Sequence, residues 1–283
     1  MQQELTISKN NFVQNGAMKK ILLFTSFVLS LFASAQMKQG KVVYERTIKM
    51  QFRGNLSPEV ANNIPKERKE KFELAFANNQ SLWESIPNMD ENNNETNGEG
   101  DGNFRMMRFG GADDLTYHNF ETGKSVQLRE LNSKNYIVED SIQKLSWNLT
   151  EETKTVVGHK TQLARAERFA MRAVMTMENG EMKRQMLPDT TEINAWIAME
   201  IPIPAGPEFQ GQLPGLILEL DVNNGQIVYK AIEISEKVNA SNIKEPKGGK
   251  HITAAEFHKE RDKTFEEMRK NMPGGGQIQI VTQ

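Results

Sequence analysis

Few side chains in this chain are able to do chemistry, and their spacing limits what that chemistry is. There are four histidines, His118, His159, His251 and His258. His251 and His258 stand seven apart, two helical turns, but His251 precedes the helix start expected at Thr253. No H-x-x-x-H or H-E-x-x-H occurs, so no residue is assigned to a metal. Met171, Met175, Met177, Met182 and Met186 fall close together. Thioethers bind Cu(I), but on a strand Met171, Met175 and Met177 share one side, as a core face requires, and packing is the reading adopted. No Gly-x-Ser-x-Gly elbow or recognisable triad is present, so no catalytic residue is assigned. Paired acids such as Glu151-Glu152 sit in polar runs where nothing raises a carboxyl pKa by burial. Glu200 and Glu219 stand apart from these. They bracket a proline-rich segment, and Glu219 lies inside an apolar strand, on whose outward face it is expected. As a pair they would be the acids of a glycan- or peptide-acting enzyme.

That segment, Ile201 to Leu220, reads IPIPAGPEFQGQLPGLILEL. Proline fixes φ and removes a backbone donor, and glycine frees φ, so the residues specify a backbone path and little regular structure. The path is delivered into the apolar run Leu216-Ile217-Leu218. A rim or groove shaped this way would be lined by Trp196, Glu200, Pro202, Pro204, Pro207, Phe209, Pro214, Gly215 and Glu219, which form the candidate ligand- or partner-binding set. Trp147 and Trp196 are the aromatic anchors, available to stack on a sugar or peptide or to fill the core of a β-rich domain.

The chain has 283 residues, a net charge of −2 and no cysteine. Disulfides, Cys–zinc sites and thiol catalysis are therefore impossible. No basic surplus exists to neutralise phosphates, which argues against nucleic acid. Met18-Lys19-Lys20, the apolar run Ile21–Phe32 and Ala33-Ser34-Ala35 have the layout of a secretory signal peptide cleaved after Ala35. The apolar run is too short for a membrane span. Residues 1–17 precede this signal and read as a start codon assigned too early. With Gln36 after the cleavage site, lipidation is excluded. Export without disulfides fits the periplasm or cell surface of a Gram-negative bacterium.

Residues 36–283 are expected to form one β-rich domain. Gly40–Met50 alternates as a strand. Ser57-Pro58-Glu59 starts a short helix running to about Arg68. Lys71–Ala77 and Gln80–Ile86 form a hairpin around Asn78-Asn79. Residues 88–103 hold one apolar residue and read as a disordered acidic loop. Strands follow at Leu115–Phe120, Lys124–Leu131, Asn135–Glu139, Lys154–Val157 and Lys160–Glu167, with a turn at Gly158. Ala170–Met177 and Thr191–Met199 pair across Asn179-Gly180 and a Pro188-Asp189 loop. Leu216–Asp221 and Gln226–Ile234 close around Asn223-Asn224-Gly225. Turns every eight to twelve residues predict a mainly β fold: an antiparallel curved sheet as barrel, half-barrel or sandwich. The chain ends in an amphipathic helix at 253–271 opened by the capping box Thr253-x-x-Glu256, and Gln277–Val281 adds a possible edge strand.

The stretches GKVVYERT, KTVVGHKTQLARA, NAWIAMEIPIPAGPE and QLPGLILELD together resemble the GLPGLI family of exported Bacteroidota proteins. Gln212 departs from the pattern, standing where the motif has its first glycine and leaving Gly211 one place early. The resemblance implies an exported, mainly β protein without an established cofactor or catalytic residue. The function expected is a non-catalytic binding or scaffolding module of the envelope, its partner an envelope protein. A periplasmic carrier of a hydrophobic ligand, with Phe257, Phe265 and Met268 on a helical lid, is the alternative, and a glycan- or peptide-acting enzyme the third.

Overall fold

The computed structural model describes residues 37–49, 66–87, 114–178 and 181–271, with side chains described except at 172–178, 181–185, 265–266 and 268–271. Twelve strands form one sheet: β1 Gly40–Lys49, β2 Glu67–Ala77, β3 Gln80–Ile86, β4 Leu115–Asn119, β5 Lys124–Leu131, β6 Lys134–Ser141, β7 Asn148–Val156, β8 His159–Glu178, β9 Glu181–Ala198, β10 Leu216–Val222, β11 Ile227–Ser235 and β12 Lys250–Thr253. Their order is β12-β6-β5-β4-β3-β2-β1-β11-β10-β9-β8-β7. The two end strands are not neighbours, so the sheet is open and not a closed barrel. All pairings are antiparallel except β12 on β6, which is parallel.

The hairpins sit where turn chemistry puts them. Asn78 and Asn79 have φ of 51° and 56°, and Asn223 and Asn224 have φ of 58° and 53°. Asparagine tolerates this left-handed region, whose twist matches that of the flanking strands. Val157 and Gly158 turn the chain between β7 and β8 with φ of 47° and 81°.

The predicted capping box is present. Thr253 N–H donates to Glu256 Oε2 at 2.9 Å and Glu256 N–H to Thr253 Oγ1 at 3.3 Å, opening α1, Ala254–Asn271. The Thr253 N–H and the Thr253 hydroxyl, which donates to the same oxygen at 2.8 Å, hold the Glu256 carboxyl below its ordinary pKa. Phe257 of α1 packs edge-on against Tyr136 of β6, ring centroids 5.7 Å apart. A single-turn 3-10 helix, η1 (Ala240–Asn242), leads to Ile243, which packs with Tyr117, Val126 and Ile137.

Three expectations change. The helix expected to run to about Arg68 does not include Glu67 and Arg68, which belong to β2 and pair with Lys49 and Ile48; residues 57–65 of that expectation lie outside the described residues. So do the signal segment, the acidic loop at 88–103 and the strand expected at 277–281. Pro188-Asp189 is not a loop: β9 runs through it, Pro188 opposite Met171. Met171 and Met186 are not core, being 57% and 48% exposed; the side chains of Met175, Met177 and Met182 lie outside the described ones. The reason is length. β7 reaches only to Arg165 of β8 and β10 only to Ile193 of β9, so beyond these points the hairpin has no neighbouring strand among the described residues.

Candidate functional site

The proline-rich segment is a buried strap laid on the sheet. Ile203 N–H donates to Ile201 O and Ala205 N–H to Ile203 O, each at 2.8 Å. These are successive γ-turns centred on Pro202 and Pro204, whose ring-fixed φ lies close to what the inverse γ-turn needs. The repeat points alternate residues inward: Ile201, Ile203 and Ala205 are 2%, 4% and 0% exposed, while Pro202 is exposed. A γ-turn of the opposite hand closes Phe209 N–H on Pro207 O at 2.6 Å around Glu208, which holds φ of 53°. Leu216 N–H to Ile201 O (3.0 Å) and Ile217 N–H to Ala205 O (2.9 Å) stitch the strap to the strand it feeds.

Ile201, Ile203, Phe209 and Leu213 of this strap join the two central core clusters. At about 1.5–3 kcal/mol per large buried side chain, they contribute about 6–12 kcal/mol of gross apolar stabilisation. Gly215 is required by close approach, since a Cβ there would stand 2.6 Å from Ala198 O. Gly211, at φ 77°, would drive a Cβ to 2.5 Å from Ile142 Cδ1. Gln212 is fixed by its acceptor: its Oε1 takes the Leu145 N–H at 2.9 Å and the Trp147 indole N–H at 3.0 Å. Trp147 packs edge-on to Phe209 at 5.6 Å. The stretch between β6 and β7 is thereby clasped onto the strap.

The structure thus divides the sequence-predicted set. Pro207, Phe209 and Gly215 are buried in packing, whereas Pro202 and Pro214 are exposed and Pro204 is half-buried. Trp196 and Glu219 are directly opposed on β9 and β10 and so share a face. Lys154 of β7 reaches both, its Nζ 2.6 Å from Glu219 Oε1 and 4.1 Å from the Trp196 ring centroid. This is a cation–π contact closed by an ion pair. Glu200 is held elsewhere, its Oε1 2.5 Å from His159 Nδ1. Glu200 and Glu219 therefore each face a basic side chain of their own and do not form a converging acid pair.

Two arrangements were not legible in the sequence. On β1, β2, β3 and β11, Arg46 lies 4.7 Å from the Phe72 centroid, and Phe72 also stacks on Trp83 at 5.1 Å and 17°. Arg46 bonds Glu70 and donates from NH1 to Tyr229 Oη at 3.1 Å; Tyr229 donates on to Glu208 at 2.8 Å. Burial works against the Arg46 charge, but Tyr229 and Glu70 outweigh it and hold its pKa above the ordinary value. The parts come from four strands, and nothing local in sequence connects them.

The second is the free part of the β8–β9 hairpin. Phe169 is 75% exposed and Leu187 42%, beside Met171 and Met186. Register pairs run uninterrupted to Glu178↔Glu181, so this is a two-stranded arm bearing large apolar side chains in solvent. The only signal for it in the sequence is the length of the alternating run, which the predicted Pro188 loop concealed.

A family model described as "Protein of unknown function (Porph_ging)" matches residues 147–219. That stretch takes in β7, the arm, the strap and most of β10. No curated protein matches the chain. Among solved structures, "Structure of PNGF-II in P21 space group" is similar at 14% identity with a TM-score of 0.49, covering 80% of this chain and 34% of that one. "Structure of PNGF-II in C2 space group" is similar at 15% identity with a TM-score of 0.47, over 80% of this chain and 33% of that one. The chain spans about a third of the length of these structures. Among the described residues, no helix is long and apolar enough to cross a membrane.

Proposed function

We propose that this protein is an exported, non-catalytic binding or scaffolding module of the bacterial envelope, akin to the GLPGLI proteins its sequence resembles, and that it works by contact through the β8–β9 arm. The observation that carries this reading is the exposure of Phe169, Met171, Met186 and Leu187 together on one ribbon. Grouped apolar exposure of this kind marks interaction surfaces. The signature segment supports it from the other side: its apolar residues are committed to the core, and its flanking acids are each held by a base. A carrier would need the sheet face on which the strap lies, and Ile201, Ile203, Phe209 and Leu213 fill it.

The test is native mass spectrometry of residues 36–283 purified from their own envelope without detergent. The expected spectrum shows the chain with a whole protein partner, and Phe169→Ser with Met171→Ser releases that partner. Co-purifying lipid would move the assignment to the carrier. Turnover of a glycan or peptide, abolished by Glu219→Gln, would make the protein an enzyme and end this reading.

A further inference from the structure

We infer that the arm's partner is a second copy of this chain, joined by antiparallel pairing of β8 with β8 across a two-fold axis. The inference rests on the arm being a contact surface, as proposed above. Beyond Arg165 on β8 and Ile193 on β9, neither outer edge of the ribbon pairs with another strand among the described residues. The two edges differ. β9 carries Pro188, and a proline holds its place in a ladder without breaking a bond only where its nitrogen faces outward. The outer edge of β9 therefore lacks a donor in its middle and is blunted against pairing. The outer edge of β8 has no proline along 166–178.

Pro188 also sets which residues of β8 are available. It opposes Met171, so Met171 and its alternate neighbours Phe169, Ala173, Met175 and Met177 are the positions whose backbone N–H and C=O point away from β9. A two-fold axis through Ala173 brings these outward positions onto one another: Phe169 opposite Met177, Met171 opposite Met175, Ala173 opposite itself. The same register sets Arg168 of each copy opposite position 178, a glutamate, of the other, so opposite charges meet at the two ends of the pairing, on the face away from the apolar ladder. An isologous contact of this kind closes as a dimer and does not propagate.

The chain has no cysteine, so single cysteines report the register without background. Ala173→Cys should form an interchain disulfide in full under mild oxidation, because the two copies of that position face each other at roughly 5.5 Å between Cα atoms. Phe169→Cys should not, its copies being displaced eight residues, roughly 26 Å. In analytical ultracentrifugation wild type is expected as a dimer. Ala173→Pro, which removes no β8–β9 bond, should weaken the dimer about tenfold or more. Arg168→Glu should weaken it too, and adding Glu178→Arg should restore it. A wild type that stays monomeric at high concentration, or a dimer in which Ala173→Cys stays uncrosslinked, overturns the inference. If a different protein is still retained through Phe169 and Met171, the contact function survives that result; a bare monomer throughout ends both.

Discussion

His118 should make the fold sensitive to acid between pH 6.5 and 4. It lies on β4 with Ser81 and Ser125 directly opposite on either side, 8% exposed and stacked on Phe120. Its Nδ1 is buried and, among the described residues, has no hydrogen-bond partner. Burial disfavours the imidazolium and lowers the pKa from 6.5 to about 4. Between these values the unfolded chain binds a proton that the folded chain refuses, so stability falls as the pH falls. The contribution is complete above pH 6.5 and gone below about 4. At about 1.36 kcal/mol per pKa unit, the loss is about 3 kcal/mol, a large share of the ~5–15 kcal/mol that holds a domain folded. Urea unfolding at pH 7 and pH 4 measures it, and His118→Phe, which fills the site with an apolar ring, separates it from the carboxylates that titrate nearby. Wild type should lose about 3 kcal/mol more than the variant over that interval. Equal losses, or an imidazole found by NMR to titrate near 6.5 in the folded protein, would mean that burial does not hold His118 neutral. His118→Gln serves the same comparison if the phenylalanine variant does not fold.

Gln212→Leu removes the acceptor shared by the Leu145 N–H and the Trp147 indole, and should cost about 2 kcal/mol in thermal or chemical unfolding with a shift in tryptophan emission; an unchanged midpoint would show the clasp to be idle. Gly215→Ala pushes a methyl against Ala198 O and should destabilise by about 2 kcal/mol or more, whereas Pro214→Ala next to it, on an exposed residue, should stay within about 0.5 kcal/mol. Lys154→Ala leaves the carboxylate of Glu219, 17% exposed, without its partner, and should cost about 1–2 kcal/mol with a positive coupling to Glu219→Gln in a double-mutant cycle; additive single effects would count against the pair. Thr253→Ala removes the α1 cap and should cost about 1 kcal/mol, seen first as faster amide exchange in the first turn of the helix.

Much of this fold is written locally. Asn78-Asn79 and Asn223-Asn224-Gly225 choose turns because few residues adopt positive φ, and the alternating runs beside them become strands because the period of two is their own. Thr253 and Glu256 cap a helix through bonds that span three residues. Even the path of the strap follows from its prolines, since γ-turns at Pro202 and Pro204 need no distant partner. Whether that path lined a groove or filled a core is a different kind of fact. It depends on β9, β10 and the Leu145–Trp147 stretch arriving against it, and Phe209, which reads equally well as a lining residue or a core residue, is buried because they do. The same holds for Met171, whose alternation fits a core face but whose strand outruns β7 and β10. His118 is buried by strands on both sides of β4, and Arg46 gains its partners Glu70 and Tyr229 from two other strands, β2 and β11. Backbone dihedrals and hydrophobic periods are local preferences of each segment, because those energies are set within a few residues. Which faces are covered, which charges are paired and which ribbon is left bare follow from the packed fold, because solvent exclusion and Coulomb partners are supplied by residues far apart in the chain.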